Sequence, residues 1–354
     1  MRIGVIGCGN ICGIYFENLG KSNAVKIVPF ADLDPAKAAS ASEKYGVPAA
    51  ESAEALIADP NVDLVLNLTV PKAHHAISKQ ALRKQKHVYS EKPLALTAAK
   101  GADLVDCAKQ YGVLLGCAPD TVLGAGIQTC RQLIDEGAIG KPLSFNAFMQ
   151  CPGHESWHPA PEFYYEEGGG PMLDMGPYYL SALVTLLGAI RTVQSYAKSA
   201  WDIRTITSQP KAGTEVLVET PTHIASLLEF ETGVVGHFTA SFDVQQSTLP
   251  HVEIVGTEGT LLVPDPNGFG GEPKIWTKMT RTWESVPLRT PHSDNARGLG
   301  VIDLARAVKE HRAPRASGDL ALHILEAMEL TVAGTSGTML STRAFQPMPM
   351  DETL

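Results

Sequence analysis

The amino-acid sequence predicts an α/β domain built on a parallel sheet, followed by an α+β domain with a large open, mostly antiparallel sheet. Three observations predict it. Over roughly the first 120 residues, short apolar runs alternate with helical stretches, the pattern of strands buried on both faces. After Ala118 the strands lengthen and alternate apolar with polar residues, as in a sheet with one wet face. A glycine turn directly follows the first apolar run, and an acid closes the second.

Taken in order, Arg2 to Ile6 reads as a strand and Asn10 to Leu19 as a helix. Val25 to Phe30 is the second strand, and Pro35 to Tyr45 a helix opened by proline. Further strands fall at Leu64 to Leu68, His87 to Tyr89 and Val113 to Gly116, separated by helices near 73–84 and 97–110. A helix from Val122 to Glu136 then leads through Gly140-Lys141-Pro142 into strands at Ser144–Met149, Thr192–Ala197, His223–Phe230, Val234–Phe242 and His251–Val255. A late helix over about 319–333 is expected to pack back onto the first half. The 354 residues suggest about two domains, here 1–120 and 121–354.

Lysine and arginine number 29 against 38 aspartates and glutamates, a net charge of −9. That sign repels phosphate backbones and argues against nucleic acid as the main partner. The sequence opens MRIGVIGCGN, without an apolar run ahead of a cleavage site, and no apolar stretch of about 20 residues occurs, so no signal peptide and no membrane span are expected. Six cysteines are too sparse for a disulfide framework. Reduced thiols in a cytoplasmic protein are expected, and no metal, because Cys8 and Cys12 lack a second ligand pair.

The turn reads Gly7-Cys8-Gly9-Asn10-Ile11-Cys12-Gly13. Glycines at 7 and 9 let the backbone approach a pyrophosphate whose charge rests on the next helix N-terminus, the Rossmann arrangement. The third glycine position is Cys12, small enough for close strand–helix packing. Asp32 ends the second strand, where a carboxylate accepts from ribose hydroxyls and repels a 2′-phosphate, which favours NAD. Lys37 leaves NADP possible.

Ser90-Glu91-Lys92-Pro93 follows the strand His87–Tyr89, and the carboxyl ends of parallel strands are where ligands bind. A partly desolvated lysine at this mouth can exchange a proton with a substrate hydroxyl. The competing reading is a surface Glu–Lys ion pair of little energetic worth.

With these residues the chain resembles the glucose–fructose oxidoreductase / inositol dehydrogenase / rhizopine-catabolism (Gfo/Idh/MocA) family. The match is carried by Gly7–Ile11, by Asn67-Leu68-Thr69-Val70-Pro71-Lys72-Ala73-His74, by Lys86–Ala95 around Glu91-Lys92-Pro93, by Gly168–Gly176 with Asp174, and by Gly256-Thr257-Glu258-Gly259-Thr260. The resemblance implies NAD(P)-dependent hydride transfer on sugars, polyols and related alcohols. It also implies a homodimer or homotetramer formed through open sheets. It assigns Lys92 to the reacting oxygen, as well as to the cofactor's edge, and Glu91 to the nicotinamide-side ribose. It assigns Thr69, Val70 and His74 to the cofactor lining and Asp174 to the active site. Val70 stands where many members have proline, and Tyr178 where many have histidine.

Asp174 and Tyr178, four residues apart, share a helix face, with Pro177 expected in the helix's first turn. A phenol beside an ammonium can supply or take up a proton; alternatively Tyr178 is packing, and Tyr179 or water does the polar work. In Gly153-His154-Glu155-Ser156-Trp157-His158-Pro159, His154, Trp157 and His158 are candidates for sugar contact. The H-E-x-x-H spacing invites a metal, but Pro152, Gly153, Pro159 and Pro161 oppose the helix it requires. Asp120 and Arg297 are further substrate-side candidates. Two other functions fit this sequence: a nicotinamide-binding regulator without net catalysis, and a redox-neutral, NAD-dependent glycoside-processing enzyme.

Overall fold

Four of the five residues in the first strand are buried, as befits a strand flanked on both sides in its sheet. In the computed structural model, which describes residues 1–335 and the strand Thr338–Met339, β1 (Arg2–Ile6) lies between β2 (Lys26–Ala31) and β3 (Leu64–Asn67). β4 (His87–Ser90) and β5 (Leu115–Cys117) complete a parallel sheet of order β2-β1-β3-β4-β5. The strand order reverses at β1, so the ligand crevice falls beyond the carboxyl ends of β1 and β3. The connecting helices are α1 (Cys12–Leu19), α2 (Pro35–Tyr45), α3 (Ala53–Ala58), α4 (Pro71–Arg83) and α5 (Ala98–Tyr111). Asp34, Ser52 and Thr97 cap α2, α3 and α5 by accepting backbone N–H bonds. Gly46 and Gly112 end α2 and α5 in the left-handed region, where a side chain would be strained.

α6 (Ala125–Asp135) leads into β6 (Pro142–Gln150), α7 (Gly170–Leu187) and β7 (Ile190–Lys198), then a side hairpin of β8 (Ile203–Thr205) and β9 (Glu215–Leu217). β10 (His223–Phe230), β11 (Val235–Ser241), β12 (Val252–Gly256), β13 (Gly259–Val263), β14 (Lys274–Thr277) and β15 (Trp283–Ser285) follow. The chain continues with α8 (Leu299–Glu310), α9 (Gly318–Val332) and β16 (Thr338–Met339). The large sheet runs β15-β14-β13-β12-β6-β11-β10-β7-β16, antiparallel except where β11 pairs β6. Alternation sets its two faces: Ile224, Ser226 and Leu228 of β10 are buried, Ala225 and Leu227 exposed. α7 packs on β6, β10 and β11, with Tyr179 stacked on Phe238 at 5.5 Å between centroids.

The chain divides into two units, Met1–Gly124 with Asp294–Leu325, and Ala125–Ser293 with the described residues from 326. The expected segment 121–354 is therefore interrupted, because α8 rejoins the parallel sheet. Val301, Leu304 and Ala305, with partly buried Val308, form an i, i+3, i+4, i+7 stripe in one core with Ile3, Val5, Leu64 and Leu66. α9 brings Leu322 and Leu325 against Gly101 of α5. The end of the 121–354 segment, from 336 and apart from β16, lies outside the described residues.

Candidate functional site

The carboxyl ends of β1, β2 and β3 border a cavity of about 520 Å³, lined among others by Gly7, Gly9, Asp32, Lys37, Thr69 and Val70. A second cavity of about 410 Å³ adjoins Cys8, Asn10, Cys12, Gly13 and Lys44. Gly7 adopts φ +103°, and Gly9 and Asn10 are exposed. Ile11, at the N-cap of α1, offers no side-chain cap, so the first-turn N–H groups keep their capacity for an anion. Asp32 holds the turn from outside: Oδ2 accepts from the Cys8 N–H at 2.7 Å and Oδ1 from the Asp34 N–H at 2.8 Å. A carboxylate has lone pairs left for ribose hydroxyls. The glycine turn, the uncapped helix and this acid fit a dinucleotide.

At the end of β4, Glu91 is fixed on both oxygens. The Tyr15 hydroxyl donates to Oε1 at 2.8 Å and the Lys92 backbone N–H to Oε2 at 3.0 Å. Burial, then the Glu91 carboxylate, pushes the Tyr15 phenol well above its ordinary range, so it remains a donor. Lys92 is half-buried beside buried Pro93. His74, expected to line the cofactor, is instead fully enclosed. Its Nδ1 lies 2.7 Å from the Pro93 carbonyl oxygen and its Nε2 2.9 Å from that of Thr69, so it ties the Lys92 segment to the loop after β3. Asn67 Oδ1 accepts from the Thr69 hydroxyl at 2.6 Å, while its amide donates to the Ser78 hydroxyl at 3.0 Å.

In the second unit, α7 begins at Gly170 with Pro171 in its first turn, which puts Pro177 inside the helix. The expectation of Pro177 in the first turn is corrected: the glycines at 168–170 let the chain enter the helix one residue before Pro171, and the Leu173 carbonyl loses its i+4 donor. Asp174 is partly exposed and Tyr178 buried, 8% exposed. Tyr179 is a core residue, its hydroxyl 2.8 Å from His251 Nδ1 and donating to Asp265 at 3.3 Å, so it is no substrate group. The loop from 151 to 169 is anchored by Arg204. One guanidinium nitrogen donates to Glu155 Oε1 at 2.7 Å and to the Pro152 carbonyl at 3.1 Å, the other to Asp243 and to the Phe242 carbonyl at 3.0 Å. The Tyr165 hydroxyl donates to Glu155 Oε2 at 2.7 Å. Glu155 of the H-E-x-x-H spacing is thus an ion-pair anchor. Trp157 is 60% exposed and packs its edge against His154 and His158.

Residues 1–118 match the model described as the oxidoreductase family with an NAD-binding Rossmann fold, and residues 127–262 match the GFO/IDH/MocA C-terminal domain. The chain is 30% identical to the dTDP-3,4-didehydro-2,6-dideoxy-alpha-D-glucose 3-reductase of Streptomyces violaceoruber over 74% of its own length and 72% of that protein's. The chain belongs to the Gfo/Idh/MocA oxidoreductase family. Another relative is the 1,5-anhydro-D-fructose reductase of Ensifer adhaerens, 27% identical over 90% of this chain and 91% of the reductase. With the D-xylose dehydrogenase of Paenarthrobacter nicotinovorans the match, 28% identical, covers 58% of this chain but only 55% of the relative. The fold is shared with an NAD binding oxidoreductase from Klebsiella pneumoniae at TM-score 0.85, with 22% identity over 97% of this chain and all of that one. A levoglucosan dehydrogenase solved with NADH and L-sorbose gives TM-score 0.84 at 18% identity, over 96% and 99% of the two chains.

In this Gfo/Idh/MocA protein, two substrate-side candidates sit in the nucleotide-binding unit, and one of them, Asp120, has a structural task. Asp120 is sealed in the core, 1% exposed, where Oδ2 accepts the Gly298 and Gly300 N–H groups at 2.8 and 3.1 Å and so holds the start of α8. That correction has a physical reason: a loop carboxylate beside an uncapped helix start satisfies donors that no solvent reaches. Arg297, next to it, donates to Asn295 Oδ1 at 2.8 Å, and its carbonyl accepts from Asn18. Burial pushes the Asp120 carboxyl up to about 6 despite those two N–H bonds. A group that titrates higher when folded binds more protons in the folded chain, so its contribution is fully present below about pH 4 and is lost as pH rises to about 6, by roughly 3 kcal/mol. Asp120→Asn keeps an acceptor and removes the titration. Urea midpoints at pH 4, 5, 6 and 7 are expected to fall in the wild type relative to the variant; parallel curves would refute the shift.

Proposed function

We propose that the protein catalyses NAD-dependent hydride transfer between the nicotinamide and a carbinol carbon of a sugar or cyclic polyol. In this reading Lys92, with Tyr178, moves the hydroxyl proton, and Asp174 orients the substrate. Bound NAD supplies the hydride acceptor. In the reducing direction the Lys92 ammonium gives its proton to the oxygen as the hydride reaches carbon, and in oxidation the neutral amine takes that proton back. The observation that carries the proposal is the alignment of the glycine turn, Asp32 and the Glu91-Lys92 pair at the carboxyl ends of β1, β2 and β4. The relatives' names support the substrate class. Trp157, exposed on its anchored loop, and His158 are proposed to contact the sugar.

Mass spectrometry of the copurified nucleotide, followed by a 340 nm screen of hexoses, inositols and keto-glycosides, tests the proposal. No absorbance change across the panel, with a protein partner pulled down instead, would support the regulator. Product formed without added NAD on tightly retained cofactor would support the redox-neutral enzyme.

Cofactor choice follows from Asp32. Asp32→Ala removes charge-assisted bonds and the repulsion of a 2′-phosphate, so NADH affinity is expected to fall about tenfold and the NADPH/NADH preference to rise by about 100-fold. Fluorescence titration with both nucleotides measures it; an unchanged ratio would leave the choice to another residue. The reading extends to a homo-oligomer formed through the outer face of the large sheet, where Tyr196 and Leu227 are exposed on adjacent strands. It also extends to the cytoplasm, consistent with six unpaired cysteines. Among the described residues, no helix is long and apolar enough to cross a membrane.

A further inference from the structure

His154 is 9% exposed, and neither ring nitrogen has a hydrogen-bond partner or reaches solvent. Its ring is caged by Tyr164, Phe242 and Trp157, with centroids at 4.0, 4.5 and 5.3 Å. Each buried polar atom left unpaired costs about 1–3 kcal/mol, so two on one imidazole call for an explanation. Asp174 offers one: its Oδ2 lies 3.8 Å from His154 Nε2, about 1 Å beyond a charge-assisted bond. The two side chains differ in access, 11% exposed for His154 and 23% for Asp174. The backbone around the imidazole is fixed, because the His154 N–H donates to the Tyr165 hydroxyl at 3.2 Å and the next residue, Glu155, is held by Arg204 and Tyr165.

We infer that His154 is a positioning residue for Asp174. Its Nε2–H closes onto Oδ2 from behind and fixes the orientation in which the carboxylate accepts an O–H from the substrate. The inference rests on the proposed function for Asp174's role and deepens it, since the ligand must present a hydroxyl donor there. His154, a candidate for sugar contact by its residue type, then touches no sugar; it acts through the carboxylate. The clamp of Arg204, Glu155 and Tyr165 keeps that imidazole in place.

The test has one arm that needs no substrate. In 15N-histidine-labelled holoenzyme, an exchange-protected imidazole N–H resonance is expected, absent in His154→Gln and moved upfield in Asp174→Asn, where a neutral acceptor replaces an anion. No protected resonance, or one unmoved by Asp174→Asn, overturns the inference. The kinetic arm uses the substrate turned over best in the 340 nm screen. His154→Phe is expected to raise KM about tenfold with NADH affinity unchanged, and to add less than about twofold when Asp174 is already Asn. Losses that multiply would mean a structural role for the loop alone and overturn it. A blank screen would count against the proposed function, while the resonance still decides the His154–Asp174 contact.

Discussion

Replacing Lys92 with methionine is expected to lower kcat by about 10³-fold while NADH affinity stays within about threefold. Methionine keeps an unbranched stem of similar length and removes only the ammonium. The local scaffold has ties of its own: Glu91 accepts from Tyr15 and from the backbone N–H of residue 92, and the Pro93 carbonyl lies on His74. The variant should therefore fold and bind nucleotide, and its loss isolates the charge at the reacting oxygen. Lys92→Arg sharpens the test. Arginine keeps the charge but cannot give up a proton, so recovery of KM without kcat would assign Lys92 to proton transfer. Stopped-flow turnover beside a fluorescence titration of NADH measures both; full turnover in Lys92→Met returns the lysine to a structural role.

The parts of this molecule visible in the sequence are those set by local pattern. Apolar runs gave the parallel strands, alternation gave β10 and β11, and the turn at Gly7–Gly9 with Asp32 lies where nearest-neighbour chemistry puts it. What was not visible depends on partners far along the chain. The stripe of Val301, Leu304, Ala305 and Val308 has helical spacing, but what makes it a core element is its seat against strands at the other end of the chain. The family resemblance puts His74 on the cofactor lining, and its place just past a strand end puts Asp120 on the substrate side. Their bonds to Pro93, Gly298 and Gly300 are tertiary and leave no trace in spacing. Arg204 carries no motif at all, yet it anchors the loop that bears His154. The start of α7 was missed by a related route. Proline is read as a helix boundary, and of Pro171 and Pro177 only the first is one.

Gly7→Ala and Gly9→Ala should separate the fold from the cofactor. At Gly7 a Cβ would lie 2.6 Å from both the carbonyl carbon and oxygen of Leu68 and 2.9 Å from the Thr69 nitrogen, at φ +103°. These are backbone atoms, which cannot rotate aside, and a side chain in that region costs roughly 1–3 kcal/mol before any clash. The loop after β3 must shift and carry Thr69 and Val70 out of the cavity wall. Gly7→Ala is therefore expected to lose about 3 kcal/mol of stability and at least about 100-fold in NADH affinity. At Gly9 the added methyl meets no protein atom within 4 Å, and the residue borders both cavities at the turn. Gly9→Ala should leave the melting temperature unchanged yet weaken NADH by about tenfold or more, since the methyl takes space that a pyrophosphate needs to approach the backbone. Thermal unfolding and nucleotide titration of both variants give four numbers. If Gly9→Ala binds NADH normally, the diphosphate does not lie over this turn, and the cofactor geometry inferred from Gly7, Gly9 and Asp32 fails with it.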